Sequence, residues 1–368
     1  MKIIQVINVR WLNATAWYAL YLSQLLDDAG HEVVVVVQPD TPPEEMARNM
    51  GLTVVRLDLN TSNPARLFTT LGNMIRLLRE FRPDVVNCHR GEGFFLWGLL
   101  RKLGMGFHLV RTRGDQRPPR ADFFNRWLHK SVASAVVVTN QKMARHFLHT
   151  MKTPDKGVWL IHGGVDTEHY RFDPEGREHV RQEFGFTEND IVVGLLGRFD
   201  RVKGQKELIQ TVSRLHSEGQ GNLKLFLIGF ETATKHRQVE DWIRESGISD
   251  ITAISHKRDD VVACISALDV GVVASLWSEA IARAALEIMA CGRPLLSTDV
   301  NVMPDLVPES ALYPTDTPEA LLPLLRRAVT DPAFRAELTA AHKVTMSQLT
   351  GKDFLNRTLN LYQALLEN

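Results

Sequence analysis

Residues Ser275–Pro294 read SLWSEAIARAALEIMACGRP. Asp269-Val270-Gly271-Val272-Val273-Ala274 comes before them, an apolar run with β-branched residues that predicts a buried strand. After Trp277-Ser278 the chain turns alanine-rich, with good helix propensity. Ile281, Ala285, Ile288 and Met289 fall on one helical face, and Gly292 and Pro294 stop the helix. Leu295–Thr298 reads as the next strand. The stretch is therefore strand, loop, helix and strand, with Glu279 in the loop and Glu287 inside the helix, seven residues between them.

A helix N-terminus presents free backbone N–H groups and a partial positive charge, so it holds phosphate well. The expected donors are Ile281, Ala282 and Arg283. Glu279 stands just outside that end, and Glu287 is roughly 8 Å further along the axis at the usual rise per residue. A ligand with a pyrophosphate at the helix end could offer hydroxyls to both carboxylates, and a nucleotide-sugar has that shape. Two solvated glutamates on a surface helix would give the same spacing.

The length of 368 residues suggests about two domains, and a hydrophobic content of 44% suffices for a core in each. No apolar run reaches the length of a membrane span, and the chain enters a strand at once (Lys2–Val9), so neither a transmembrane helix nor a signal peptide is expected. Cys88, Cys264 and Cys291 lack metal-ligand spacing and read as reduced thiols of a cytoplasmic protein. Net charge is zero, but residues 1–165 hold 21 Lys and Arg against 13 Asp and Glu, a net +8. An anionic partner for the first half, or attraction between the two halves, would explain the asymmetry.

Working outward, residues 1–165 alternate strand and helix: strands Ile3–Val9, Glu32–Val37, Leu52–Leu57, Asp84–Cys88, Phe107–Thr112 and Ala135–Thr139, with helices that include Ala16–Ala29 and Pro64–Phe81. GVWLIHGGVD (157–166) ends a strand in Gly163-Gly164, and a second βα series begins at Ile191–Gly197. Repeated βα units predict parallel sheets covered on both faces, with ligands beyond the C-terminal strand ends. Residues 318–368 read as helical, opened by Pro318, Asp331-Pro332 and Gly351, and the last helix has Leu355, Leu359, Tyr362 and Leu366 on one stripe.

The motif GRFDRVKG (Gly197–Gly204) follows the first strand of the second series. Arg198 and Lys203 can point at one anionic site, Arg as a planar fork and Lys as a point charge. GRFDRVKG, RDDVVACISALDVGVVAS and E-x7-E followed by MACGRP occur in that order, and IHGGVD opens the second domain. Together they resemble the family-four retaining glycosyltransferases of the GT-B fold. The resemblance is strong over residues 157–300 and continues more weakly through AWYALYLSQLLDDAGHEVVVV and RPDVVNCHRGEG.

The resemblance implies two Rossmann-like parallel-sheet domains facing across a cleft: residues 1–164 on the acceptor side, 165–350 on the donor side, and a C-terminal helix, 351–368, crossing back to the first. It also implies roles. Arg198 and Lys203 would neutralise the donor diphosphate, Glu287 would hold the ribose, Glu279 would contact the transferred sugar, and the backbone of Ile281, Ala282 and Arg283 would bind the distal phosphate. Asn13-Ala14 stands where the family has a Gly-Gly pair near the donor phosphates, and Gly114-Asp115 where a His-Asp pair is common. Ala280 replaces a glycine after the first motif glutamate. His89, Arg113 and Asp115 are the acceptor-side candidates, with His89 also suiting a structural place. Arg111, Arg113, Arg117 and Arg120 make the densest basic cluster, fitting an anionic acceptor or a solvated loop.

The implied reaction is sugar transfer from a nucleotide-diphosphate sugar to a hydroxyl of a glycan or glycolipid, with retention and without a metal or other cofactor. Cell-envelope polysaccharide or lipopolysaccharide assembly fits the basic first domain, with peripheral contact at the inner face of an anionic membrane and no nucleic-acid partner. Asp27-Asp28 reads as a solvated pair and Asp259-Asp260 as a helix cap rather than as metal sites. A sugar-nucleotide epimerase of the same fold and a non-catalytic nucleotide-sugar-binding relative are the alternatives. A nicotinamide dehydrogenase is disfavoured, because no G-x-G-x-x-G follows the first strand.

Overall fold

A computed structural model of the chain describes residues 1–367. It divides into two compact units, Met1–Gly164 with Gly351–Asn368, and Val165–Thr350. The first contains strands β1 (Lys2–Ile7), β2 (Glu32–Val37), β3 (Thr53–Arg56), β4 (Val85–Cys88), β5 (His108–Arg113), β6 (Ala135–Val138) and β7 (Val158–Leu160). The second contains β8 (Ile191–Leu196), β9 (Leu223–Ile228), β10 (Thr252–Ile254), β11 (Val270–Val273), β12 (Leu295–Thr298) and β13 (Leu312–Tyr313). Every paired strand is parallel.

The sheet orders are β3-β2-β1-β4-β5-β6-β7 and β10-β9-β8-β11-β12-β13. Each order reverses beside its first strand, between β1 and β4 in one unit and between β8 and β11 in the other. Helices on both faces explain the run Glu32–Val37, in which only the glutamate is exposed: parallel strands covered twice become continuously apolar. One face of the first sheet packs Val6, Val34, Val86 and Leu109 against Trp97 and Leu100 of the helix Phe94–Lys102. The second core gathers Leu195, Leu225 and Val272 with Leu208, Val212, Ile288 and Leu325 from the surrounding helices. No helix among the described residues is long and apolar enough to cross a membrane.

The C-terminal helix Gly351–Leu366 packs within the first unit, but not on the stripe expected for it. Leu366 is exposed and Leu355 and Leu359 are half-buried, whereas Phe354, Thr358, Leu361 and Tyr362 are buried. Phe354 lies 4.5 Å, centroid to centroid, from Tyr18. The Tyr362 hydroxyl accepts from Gln5 Nε2 at 3.3 Å and from Asn87 Nδ2 at 3.0 Å, so the helix is fixed by polar contacts to β1 and β4. Tyr362→Phe is expected to leave both amide donors short of a partner and to cost about 1–3 kcal/mol, read by chemical denaturation.

Candidate functional site

In the second unit, β8 and β11 are neighbours at the point where strand order reverses, and the segments leaving their C-terminal ends hold the residues expected for a donor. After β8, buried Phe199 anchors the turn between Arg198 and Asp200. Asp200 accepts from the Val202 N–H at 3.2 Å and pairs with Arg198 at 3.0 Å. A short 3₁₀ turn, Arg201–Lys203, ends at Gly204, whose φ of +70° admits few other residues. The helix Gln205–Ser217 follows, and its Gln205 side chain donates to the Arg198 carbonyl at 2.9 Å. The Leu276 N–H donates to the Val202 carbonyl at 2.8 Å, tying this turn to the loop after β11.

That tie brings Lys203 to Glu279, and the ammonium pairs with the carboxylate directly. Ser275 Oγ donates to the same oxygen at 2.5 Å, and the Glu279 N–H donates to Asn301 Oδ1 at 2.9 Å. Glu279 is 6% exposed, so its carboxylate is held in place rather than solvated on a surface helix. Eight residues on, buried Glu287 accepts from Arg283 Nε at 2.6 Å, and Arg283 Nη2 reaches the Tyr170 hydroxyl at 3.4 Å. Burial, with the Glu287 charge, pushes the Tyr170 phenol up to about 12.

The helix itself starts later than expected. It spans Arg283–Ala290, and Ala282 precedes it in the left-handed region, φ 53°. Its first-turn N–H groups are therefore those of Arg283, Ala284 and Ala285, and Ile281 and Ala282 lie outside the helix as buried loop residues. The strain falls on Ala282, not on Ala280, which has no positive φ. Sequence reasoning missed Asp200, Ser275, Asn301 and Tyr170. Asp200 and Ser275 lay inside the quoted stretches, and Asn301 and Tyr170 lacked any local signal.

Arg198, Lys203 and Arg283 are thus each matched to a carboxylate, of Asp200, Glu279 and Glu287. A diphosphate entering here would exchange partners with these ion pairs. Among the described residues, no three His, Cys, Asp or Glu side chains are grouped to hold a metal ion. Asp260 does not cap the helix Val261–Ser266 with its side chain; it pairs with Arg258 Nε at 2.7 Å.

In the first unit, Asn13 is the N-cap of the helix Ala14–Asp28, its side chain accepting from the Ala16 N–H at 2.9 Å. The position is extended (φ −130°), so the lost glycine is absorbed without left-handed strain. His89, just beyond β4, is fully buried, with Nε2 2.7 Å from Gln5 Oε1. Burial and the nearby Arg111 pull it down to about 3, so the ring is neutral in its buried place inside the first unit. The basic cluster splits in the same way. Arg111 is buried, and it meets Asp115 at 2.9 Å together with Arg113 at 3.2 Å and Arg90 at 3.3 Å. Burial, then the Arg111 charge, lowers Arg113 to about 10. Asp115 therefore gathers three guanidinium groups, while Arg117 and Arg120 remain on the exposed loop.

Two family models match the chain: Glycosyltransferase Family 4 over residues 15–169 and Glycosyl transferases group 1 over residues 176–344. The chain is 25% identical over 261 residues to the D-inositol 3-phosphate glycosyltransferase of Saccharomonospora viridis, covering 68% of this chain and 60% of that relative. It thus spans about three fifths of that relative's length. Among solved structures, a glycosyltransferase of Rickettsia africae matches 100% of this chain and 98% of its own at TM-score 0.87 and 15% identity. HepE of Anabaena, in complex with UDP and glucose, matches 99% of this chain and 100% of its own at TM-score 0.83 and 16% identity. Both likenesses show the fold, and with the two parallel sheets they make it GT-B.

Proposed function

This chain belongs to the group 1 glycosyltransferases, and from that premise we propose that it transfers a sugar from a nucleotide-diphosphate donor to a hydroxyl of a glycan or glycolipid acceptor, with retention. The observation that supports the donor class is the arrangement after β8 and β11, where Lys203 pairs with Glu279 and the same two segments carry Arg198 and the helix Arg283–Ala290. The bond from the anomeric carbon to the diphosphate oxygen breaks, and its electron pair stays on the diphosphate. The acceptor oxygen bonds to the same carbon face, and its proton passes to the leaving diphosphate. Arg198, Lys203 and the N–H groups opening the helix Arg283–Ala290 stabilise the charge that grows there. Glu279 faces the sugar, where positive charge develops, and Glu287 holds the ribose. Of the acceptor-side candidates, the Arg113–Asp115 loop remains the one near solvent.

In this reading the cations do the work of a metal ion. Full activity is expected in excess EDTA, measured as nucleotide-diphosphate release with a panel of donors and acceptors. Loss of activity restored by Mg²⁺ or Mn²⁺ would overturn that part. Release that depends on an acceptor distinguishes transfer from epimerisation and from mere binding. The net +8 of residues 1–165 further supports an enzyme working at the inner face of an anionic membrane, on envelope polysaccharide or lipopolysaccharide precursors.

A further inference from the structure

The first unit carries an apolar surface that includes none of the candidate donor residues. The helix Phe94–Lys102 turns Phe94, Trp97, Gly98 and Leu100 inward. Phe95 and Leu99, with Leu103 just past its end, are 43%, 39% and 69% exposed and form an i, i+4, i+8 stripe. The helix Phe123–Trp127, which follows the arginine loop after β5, buries none of its residues. Its Phe123, Phe124 and Trp127 are 87%, 50% and 38% exposed. The two surfaces join, for the Phe95 and Phe124 ring centroids are 5.6 Å apart and those of Phe124 and Trp127 5.9 Å. Scattered single apolar residues need no explanation on a protein surface, but a joined aromatic patch marks an interaction site.

Its surroundings are basic. Residues 94–130 hold eight Lys and Arg against two Asp and Glu. Of those two acids, Asp115 is occupied by three arginines and Asp122 caps the helix Phe123–Trp127. Lys102 adjoins Leu103, Arg120 comes three residues before Phe123, and Lys130 three after Trp127; all three are exposed.

We propose that this face docks on an anionic lipid bilayer, with Phe95, Leu99, Leu103, Phe123, Phe124 and Trp127 in the headgroup boundary and Lys102, Arg120 and Lys130 against lipid phosphates. Exposed aromatics beside lysine and arginine combine apolar burial with attraction to anionic headgroups. Charge selects the lipid over a second copy of the chain, which would set one basic rim against another. The inference deepens the membrane part of the proposed function and needs no sugar transfer to be measured.

The test is sedimentation of the full chain with phosphatidylcholine vesicles, with and without phosphatidylglycerol. Wild type is expected to bind only the anionic vesicles and to be released by salt. Phe123→Ser/Phe124→Ser/Trp127→Ser should weaken partitioning by about 10³-fold, since each of the three aromatic burials is worth about tenfold. Trp127→Phe should bind nearly as wild type, and Lys102→Glu/Arg120→Glu/Lys130→Glu should abolish binding. All the changed side chains are exposed, so unchanged thermal melting is expected. If the triple serine variant binds like wild type, the patch is refuted and charge attraction alone remains. A concentration-dependent dimer that the serine variant abolishes, with equal vesicle binding, assigns the face to a second copy and also refutes it. No binding of wild type to anionic vesicles refutes docking and the membrane attraction together, while acceptor-dependent nucleotide release still decides the sugar-transfer reading.

Discussion

Glu279→Gln is expected to lower kcat by about 10²–10³, with a smaller change in KM, because it removes a charge that acts on the sugar as positive charge develops. The amide keeps the size of the side chain and an oxygen to accept from Ser275 and Lys203, so fold and donor access survive. Arg198→Ala is expected to behave alike, through loss of leaving-group stabilisation. Glu287→Gln supplies the contrast: a ribose contact is the same in ground and transition states, so KM rises while kcat nearly holds. Steady-state kinetics on the three variants, each with verified folding, measure this. The reverse pattern would exchange the sugar and ribose ends, and no effect from any of them would move the donor site elsewhere.

Gly204→Ala is expected to be the most disruptive single methyl in the second unit. A Cβ there would lie 1.9 Å from the Ala274 carbonyl oxygen, a backbone atom that cannot swing aside, and φ is +70°. Left-handed strain and overpacking each cost about 1–3 kcal/mol, and here they add. The same displacement would pull Lys203 from Glu279, because Gly204 is the next residue and Ala274 lies on the loop that carries Glu279. Denaturant unfolding should show the stability loss, and residual activity should fall with it. A variant with wild-type stability would mean that the two loops are not packed as described.

The βα alternation was legible because strands covered on both faces become unbroken apolar runs, as in Val33–Val37 and Val270–Val273. The two segments that carry the candidate donor residues were legible for a related reason. They follow strand ends, where a short motif such as GRFDRVKG specifies a turn and a pair of cations locally.

Partnership was not local. Lys203 and Glu279 are 76 residues apart, and only the adjacency of β8 and β11 brings them together. The same holds for Asp115, whose three arginines come from two strand ends. The tail helix shows why periodicity left its face undecided. Leu355, Leu359, Tyr362 and Leu366 satisfy a helical repeat, and so do Phe354, Thr358, Leu361 and Tyr362. Tyr362 is common to both, and burial of Phe354, Thr358 and Leu361 marks the second set, whose threonine hydrophobicity does not score.

By itself, then, the amino-acid sequence determined two parallel-sheet domains, their order, and which loops hold the charged residues, because each follows from patterns a few residues long. Tertiary structure alone decided that Ala282 takes a left-handed conformation and delays the helix to Arg283, that His89 is sealed inside the first unit, and that every candidate donor cation already has a carboxylate. The physical reason is common to all three: burial and ion pairing depend on neighbours that chain folding supplies from distant positions, and no local propensity encodes them.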